Sequence, residues 1–496
     1  MEKGKRIKKS KGPQTVRRLA AAGVFLLSLA AFGTGISALS GLFAFQAGPA
    51  FARVFASFAW PAFFIVALIL GTAFLFGRFY CAALCPLGIL QDILGSLFRR
   101  KGRTGENYRR LRYTIAGVTF GLLAAGGAIG FRLLDPYTEF GAIAAALFSP
   151  AWIEIHNLLF PGNPLTARTA TLLSFLTGAV PFLILAGLVF WKKRIYCTAI
   201  CPVGTVLGLC AARGVLRLSL SDKCVRCGRC VGVCPSGCIR PADRFLDNER
   251  CVRCMNCMAV CPVGAITYGR IRKAAEKTDE SRRRFLTGSA AAAAGIGIGV
   301  AGGLLLKSAE AEEAIYPPGA GSAARFAARC TSCQLCVANC RGNVLRPAGL
   351  RYDAVHLEFD RGMCEFTCKR CTEVCPTGAL QEMTLKQKQR RRIGLARFAP
   401  YLCVAVVDGT DCGACAEHCP TGALRMVEDG QGHRTPELTE DLCIGCGSCE
   451  HPCPVRPVRA IRVFPVSIQV EAADPEEFFR RNAPREESPA DGEWLI

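Results

Sequence analysis

Twenty-four cysteines standing in six tight groups of four constrain this chain more than any other feature. Thiols so close in sequence converge on shared centres, whereas cysteines of secreted disulfide scaffolds are dispersed over one small domain. The remaining composition describes the surroundings of those centres. Thirty Cys in 496 residues, 51% hydrophobic residues and a mean hydropathy of +0.27 exclude an ordinary soluble enzyme and point to a membrane protein rich in metal ligands. A net charge of +22 raises nucleic acid as a partner. The basic residues, however, flank apolar segments instead of forming one patch, with eight Lys or Arg in residues 1–18 and seven in 99–112. That is the pattern of membrane topology signals, and no nucleic acid is expected.

Cys224-x2-Cys227-x2-Cys230-x3-Cys234-Pro235 and Cys251-x2-Cys254-x2-Cys257-x3-Cys261-Pro262 have the spacing of bacterial two-cluster ferredoxins. There the fourth cysteine of each run serves the other cluster, so Cys224, Cys227, Cys230 and Cys261 are expected to hold one 4Fe-4S cluster and Cys251, Cys254, Cys257 and Cys234 a second. Paired C-x2-C units also bind zinc, but a third cysteine at the same interval followed by Cys-Pro is not zinc-ribbon spacing. Four further groups follow: Cys330, Cys333, Cys336 and Cys340; Cys364, Cys368, Cys371 and Cys375; Cys403, Cys412, Cys415 and Cys419; Cys443, Cys446, Cys449 and Cys453. They bring the expected total to six clusters, and both neighbour and nested pairing of the last four groups stay open. Cys210 and Cys238 are left over and read as packing residues.

Four charge-poor stretches, within 19–52 and at 54–76, 113–131 and 169–191, are long enough to cross about 30 Å of hydrocarbon as helices. The stretch 140–152 reads as too short to span and is expected to form a re-entrant or interfacial helix on the outer side. The basic leader and the run 99–112 then face the cytoplasm. An internal repeat follows the second and fourth stretches: RFYCAALCPLG at 78–88 returns as RIYCTAICPVG at 194–204. Residues at i and i+4 share a helical face, so Cys81 with Cys85 and Cys197 with Cys201 each present two thiols, a candidate redox or metal site whose alternative is simple packing.

Arg282 and Arg283, in Ser-Arg-Arg-Arg-Phe-Leu at 281–286, precede an uncharged segment at 287–306 and look like a twin-arginine export signal placed inside the chain. A plain positive-inside flank gives the same orientation. Export of a folded, cluster-loaded domain suits a periplasm that would oxidise bare thiols. The expected architecture is an α-helical membrane bundle plus α+β ferredoxin-like 4Fe-4S domains. Its parts are a leader at 1–18, a four-helix domain at 19–205, a two-cluster ferredoxin domain at 215–270, a signal and fifth helix at 281–306, an exported four-cluster domain at 325–465 and an acidic, disordered tail at 471–496.

Residues 16–270 resemble the membrane polyferredoxins of periplasmic nitrate reductase and methylamine-utilisation systems, the NapH and MauN type. Residues 280–465 resemble their exported partner ferredoxins, the NapG and MauM type. The resemblance implies a quinol dehydrogenase module of the bacterial inner membrane, with electrons passing from the quinone pool to a periplasmic acceptor or reductase. A two-His haem within the bundle is not expected, because His156 alone among five His lies in the first half; no flavin is expected either. Quinone is then the expected carrier between the two ferredoxin parts, with Asp135, Glu139, Glu154 and His156 as candidate proton acceptors. The basic run 386–392 is either a solvated surface loop or a docking site for an acidic redox partner. The alternatives are a redox maturation or regulatory factor for a metalloenzyme, and a multi-cluster ferredoxin facing the cytoplasm throughout.

Overall fold

The computed structural model describes residues 12–33, 39, 41–57, 60–98, 106–162, 172–270, 278–307, 314–347, 354–428, 432 and 434–481. Helices α1 (Gly12–Gly33), α2 (Ala47–Ser57), α3 (Trp60–Phe76), α4 (Pro86–Leu97), α5 (Arg109–Ala124), α6 (Pro136–Leu159), α7 (Leu172–Trp191), α8 (Pro202–Ala212) and α9 (Thr278–Lys307) form a bundle. By length and composition, Gly12–Gly33, Pro136–Leu159, Ser174–Trp191 and Leu286–Leu305 could each cross a membrane.

The bundle corrects several sequence expectations. The stretch 140–152 is not a short re-entrant or interfacial helix but part of the 24-residue α6. Asp135 caps its first turn by accepting from the Thr138 N–H, Pro136 occupies the first turn, and a π-helical segment at Ala144–Phe148 carries the helix onward into Ser149–Leu159. The leader does not run to residue 18, because α1 starts at Gly12 and buries Arg17 against Asp92 and the Ala82 carbonyl. The stretch 54–76 divides into parts of α2 and α3, the latter with Pro61 in its first turn. The stretch 113–131 breaks after Ala124, where Gly126 takes a φ of +84° that side chains with a Cβ rarely adopt.

Small residues bring α5 and α9 together side by side, both running in the same direction. A Cβ on Gly117 would stand 2.4 Å from the Ala292 carbonyl, and one on Gly299 would stand 2.3 Å from that of Val118. This is glycine used for close backbone approach between apolar helices.

A first ferredoxin-like module follows the bundle. Its strand β1 (Leu216–Leu220) pairs antiparallel with β4 (Ile266–Arg270), and β2 (Ile239–Arg240) pairs with β3 (Phe245–Leu246). The C-terminal module pairs β5 (Leu345–Arg346) with β6 (His356–Leu357), β7 (Gly394–Phe398) with β10 (Ile461–Pro465), and β8 (Leu424–Glu428) with β9 (Arg434–Leu438). The start of the acidic tail is ordered, contrary to expectation: Glu471 bridges to Arg391, and Pro475–Arg481 is a helix whose Phe479 ring lies under the Arg425 guanidinium. Residues 482–496 lie outside the described residues.

The two modules attach at opposite ends of α1. Gln14 near its start donates to Asn256 of the first module at 2.7 Å, and Ala31 near its end accepts from Asn339 of the C-terminal module at 3.4 Å.

Candidate iron–sulfur centres

Local backbone geometry turns each regular cysteine ladder into a cradle. In Cys224–Cys230, Cys251–Cys257, Cys330–Cys336 and Cys443–Cys449, the residues two and four places after the first cysteine all have positive φ. These are Arg226 and Gly228, Arg253 and Met255, Ser332 and Gln334, and Gly445 and Gly447. Five of the eight carry a Cβ and hold an uncommon conformation at an energetic cost. Loops that alternate backbone conformation in this way curl about one point, a geometry suited to an anionic centre. The groups opening with x3 and x8, from Cys364 and from Cys403, lack this pattern.

Exchange of the fourth cysteine is visible in the cavities. Cys224, Cys227, Cys230 and Cys261 line one, and Cys234, Cys251, Cys254 and Cys257 line a second. In the C-terminal module Cys419 joins Cys443, Cys446 and Cys449, while Cys453 joins Cys403, Cys412 and Cys415. Cys375 lies beside Cys330, Cys333 and Cys336, and Cys340 beside Cys364 and Cys371, with Cys368 also close to both of these. Neighbour pairing is therefore the geometry, and nested pairing is absent among these groups. Cys238 was missed as a neighbour of the centres: its sulfur is 3.6 Å from that of Cys234, and it lines the same cavity. Its position four residues after Cys234 was the available signal.

Four of these sets each gather four thiols around one cavity, the number and type of donor that a 4Fe-4S cluster takes. Burial pushes the Cys364 thiol up to about 12 and Cys415 up to about 11. Such thiols stay protonated until a bound cation compensates the thiolate, so loading releases protons.

Backbone contacts link the C-terminal centres to the bundle and to one another. Arg132 donates to the carbonyls of Cys330 and Ala327 at 3.2 and 3.1 Å, fixing the first pair of groups against the helices. The Cys364 N–H donates to the Cys446 carbonyl at 2.8 Å and joins that pair to the next. Beside the group that opens with Cys403, Tyr401 and Val407 are exposed.

The basic run 386–392 is largely tied inside the module, which corrects its reading as a free docking patch. Lys388 is buried on the Glu365 carbonyl, Arg390 and Arg391 meet Asp474 and Glu471, and Arg392 holds the carbonyls of Cys443, Glu440 and Asp441. Arg282 and Arg283 fall within α9, but their side chains lie outside the described residues. Of the candidate proton acceptors, Asp135 is buried as a helix cap, Glu139 follows it on α6, Glu154 is exposed and His156 stacks near Trp152 and Phe160.

The repeated RxYCxxxCPxG segments meet inside the bundle, and all four of their cysteines are buried. Cys85 and Cys201 are the N-caps of α4 and α8, with Pro86 and Pro202 opening each helix. The Gly204 N–H donates to the Cys201 sulfur at 3.2 Å. Gly88 and Gly204 leave room for the other half of their own motif, since a Cβ there would stand 2.3 Å from the Cys81 carbonyl and 2.7 Å from that of Cys197. Each arginine crosses to the opposite copy: Arg78 donates to the Cys197 carbonyl at 2.6 Å, and Arg194 to the Cys81 carbonyl at 2.7 Å.

Comparison with known families agrees with this reading. A family described as a 4Fe-4S binding domain matches residues 58–104 and 171–219, a second so described matches 220–240 and 245–267, and a 4Fe-4S dicluster domain matches 329–379 and 410–456. The ferredoxin-type protein NapG of Escherichia coli is 33% identical over 209 residues, covering 39% of this chain and 89% of NapG. The methylamine utilization ferredoxin-type protein MauM of Methylorubrum extorquens is 33% identical, covering 38% and 92%, and MauN of Paracoccus denitrificans is 29% identical, covering 34% and 53%. No solved structure is significantly similar to the chain. With its cysteine cradles and this similarity together, the chain belongs to the NapG and MauM family of ferredoxin-type iron–sulfur electron-transfer proteins.

Proposed function

We propose that this protein is a quinol-oxidising electron-transfer component of the bacterial inner membrane, with its C-terminal module in the periplasm and a periplasmic redox protein or reductase as acceptor. The attachment of the two modules to opposite ends of α1 carries the proposal. At 1.5 Å per residue, the 22 residues of α1 extend about 33 Å, close to the hydrocarbon thickness of about 30 Å. The 24 cysteines of the six groups are the proposed ligands of six 4Fe-4S clusters. Such clusters, when bound, supply one-electron carriers whose potentials follow burial, charge and hydrogen bonds to sulfur.

The chain's own residues serve this role by position. Arg132 and Asn339 seat the C-terminal module on the bundle, and the Cys364–Cys446 backbone bond holds its two halves in register. The exposed Tyr401 and Val407 beside the group that opens with Cys403 leave a face that an acceptor can approach. Arg282 and Arg283 serve as the export signal that takes the module across after its cysteines have been loaded.

A reporter fused after Ile496, with and without Arg282→Lys and Arg283→Lys, tests the arrangement. A periplasmic signal lost in the double variant supports it. A cytoplasmic signal from the unmutated chain would sink the periplasmic route and leave a ferredoxin facing the cytoplasm. Reduction of the clusters by quinol in isolated membranes tests the substrate, and its failure would remove quinol from the scheme.

A further inference from the structure

We infer that Cys81, Cys85, Cys197 and Cys201 together hold one further iron–sulfur cluster, a fixed electron relay inside the bundle between the two ferredoxin modules. The inference rests on the proposed electron-transfer role and supplies the step that role lacks. About 30 Å of hydrocarbon is too wide for one efficient hop, because electron tunnelling falls off exponentially with distance. A centre partway across divides it.

Stoichiometry gives the first argument. A 4Fe-4S cluster takes four thiolates. Each copy of the repeat carries two in its motif, and the match to a 4Fe-4S binding family falls on the two copies separately. Neither copy can complete a cluster alone. The fold brings them together: Cys201 lies within electrostatic reach of Cys197, Cys81 and Cys85, and Cys85 within reach of Cys197 and Cys81.

Charge gives the second. Arg78 and Arg194 are both 0% exposed, and Arg17 is buried beside them. Asp92 pairs with Arg194 and Arg17. Arg78 has no carboxylate partner among the described residues; its contacts are the Glu249 and Cys197 carbonyls and, at 3.8 Å, the Cys81 sulfur. Against these three arginines stand Asp92 and, within electrostatic reach of Cys85, the buried Asp135, which leaves a surplus of one positive charge, costly in a buried site unless an anion answers it. An oxidised 4Fe-4S core with four thiolates carries a net charge of about −2. Gln91 adds a further donor, 3.1 Å from the Cys197 sulfur.

Position gives the third. A single continuous buried core contains Cys254 of the first module, all four of these thiols, Tyr80, Tyr137, and Cys333 of the C-terminal module. Arg78 joins the centre to the first module through the Glu249 carbonyl, two residues from Cys251. On the other side, Gly141 of α6 packs so close to the Cys333 carbonyl that a Cβ would stand 2.2 Å from it. Each passage is a one-electron exchange: one centre is oxidised as its neighbour is reduced, and no bond to the protein forms or breaks. Quinol supplies the electrons, two per molecule with two protons released, and the periplasmic acceptor takes them up.

Anaerobically purified full-length protein should contain iron and acid-labile sulfide for one cluster more than the six conventional groups, and Cys81→Ser with Cys197→Ser should lose that one alone. In quinone-free vesicles, electrons from an impermeant donor at the first module should reach impermeant ferricyanide at the C-terminal side, and the double variant should lose at least ten-fold in rate. Arg78→Gln, which removes a positive charge beside the centre, should lower the reduction potential of one electron paramagnetic resonance signal and leave the others in place. Iron for six clusters in the unmutated protein, copper or zinc in place of the extra iron, or a disulfide among the four thiols overturns the relay. No transfer without quinone, with transfer restored by adding it, also overturns the relay and leaves the quinol reading intact. No transfer with or without quinone overturns both.

Discussion

Replacing Glu249 by Ala should damage the seat of the first module more than removing the whole polar group to which Glu249 belongs. Glu249 is 8% exposed and Arg112 1%. One carboxylate oxygen of Glu249 accepts both from Arg112 and, at 2.6 Å, from the Tyr113 hydroxyl. The other guanidinium nitrogens of Arg112, Nε and Nη1, have no hydrogen-bond partner. Glu249→Ala therefore leaves a buried cation without its anion, a loss of about 3–5 kcal/mol. The orphaned tyrosine hydroxyl belongs to the same small network, so its own penalty of about 1–3 kcal/mol does not simply add. At 1.4 kcal/mol per decade this amounts to about a 10²- to 4 × 10³-fold rise in the opened form. Arg112→Met, Tyr113→Phe and Glu249→Leu made together remove every polar member, and the triple variant should stay within about 2 kcal/mol of the unmutated protein. Because Cys251 and Cys254 follow Glu249 closely, thermal loss of iron–sulfur absorbance in detergent reads the effect. If the triple variant bleaches at the temperature of Glu249→Ala or below it, the buried-charge reasoning is wrong.

Two other perturbations follow from named contacts. Gly299→Leu should force α5 and α9 apart and cost about 1–3 kcal/mol, since its Cβ would stand 2.3 Å from the Val118 carbonyl, whereas Gly297→Leu, with nothing within 4 Å, should be neutral in the same thermal denaturation. Hydrogen bonding to His356, and then the charge of Arg346, holds the Glu358 carboxyl below its usual range. Its contribution to stability is thus complete above about pH 4.3, the unfolded value, and disappears as pH falls through the lower folded value; Glu358→Gln should flatten the acid limb of C-terminal module stability, measured as cluster bleaching against pH.

Some of the architecture was legible because the signal is local. The ladder Cys224, Cys227, Cys230 fits a loop of seven residues, so its spacing alone dictates a cradle, and the repeated Cys-Pro marks where each loop ends. Helix ends were less legible. Residues 140–152 carry too few apolar residues to announce a span, and the π-helical join that makes α6 continuous leaves no compositional trace. The run 386–392 read as a solvent-facing patch because charge in sequence does not reveal partners; Glu471 and Asp474, about 80 residues on, return to meet it.

The sequence by itself determined the number of thiol groups, the exchange expected in the first module and the existence of a twofold motif, since each depends on residues within a few positions of one another. Only tertiary structure decided that the C-terminal groups pair with neighbours, that Cys238 stands beside a ligand set, and that the two Cys-x3-Cys-Pro motifs face each other. Those facts depend on contacts such as Arg78 with Cys197 and Arg194 with Cys81, more than 110 residues apart. Spacing within a motif cannot encode the packing of separate helices, which follows from burial of the whole bundle.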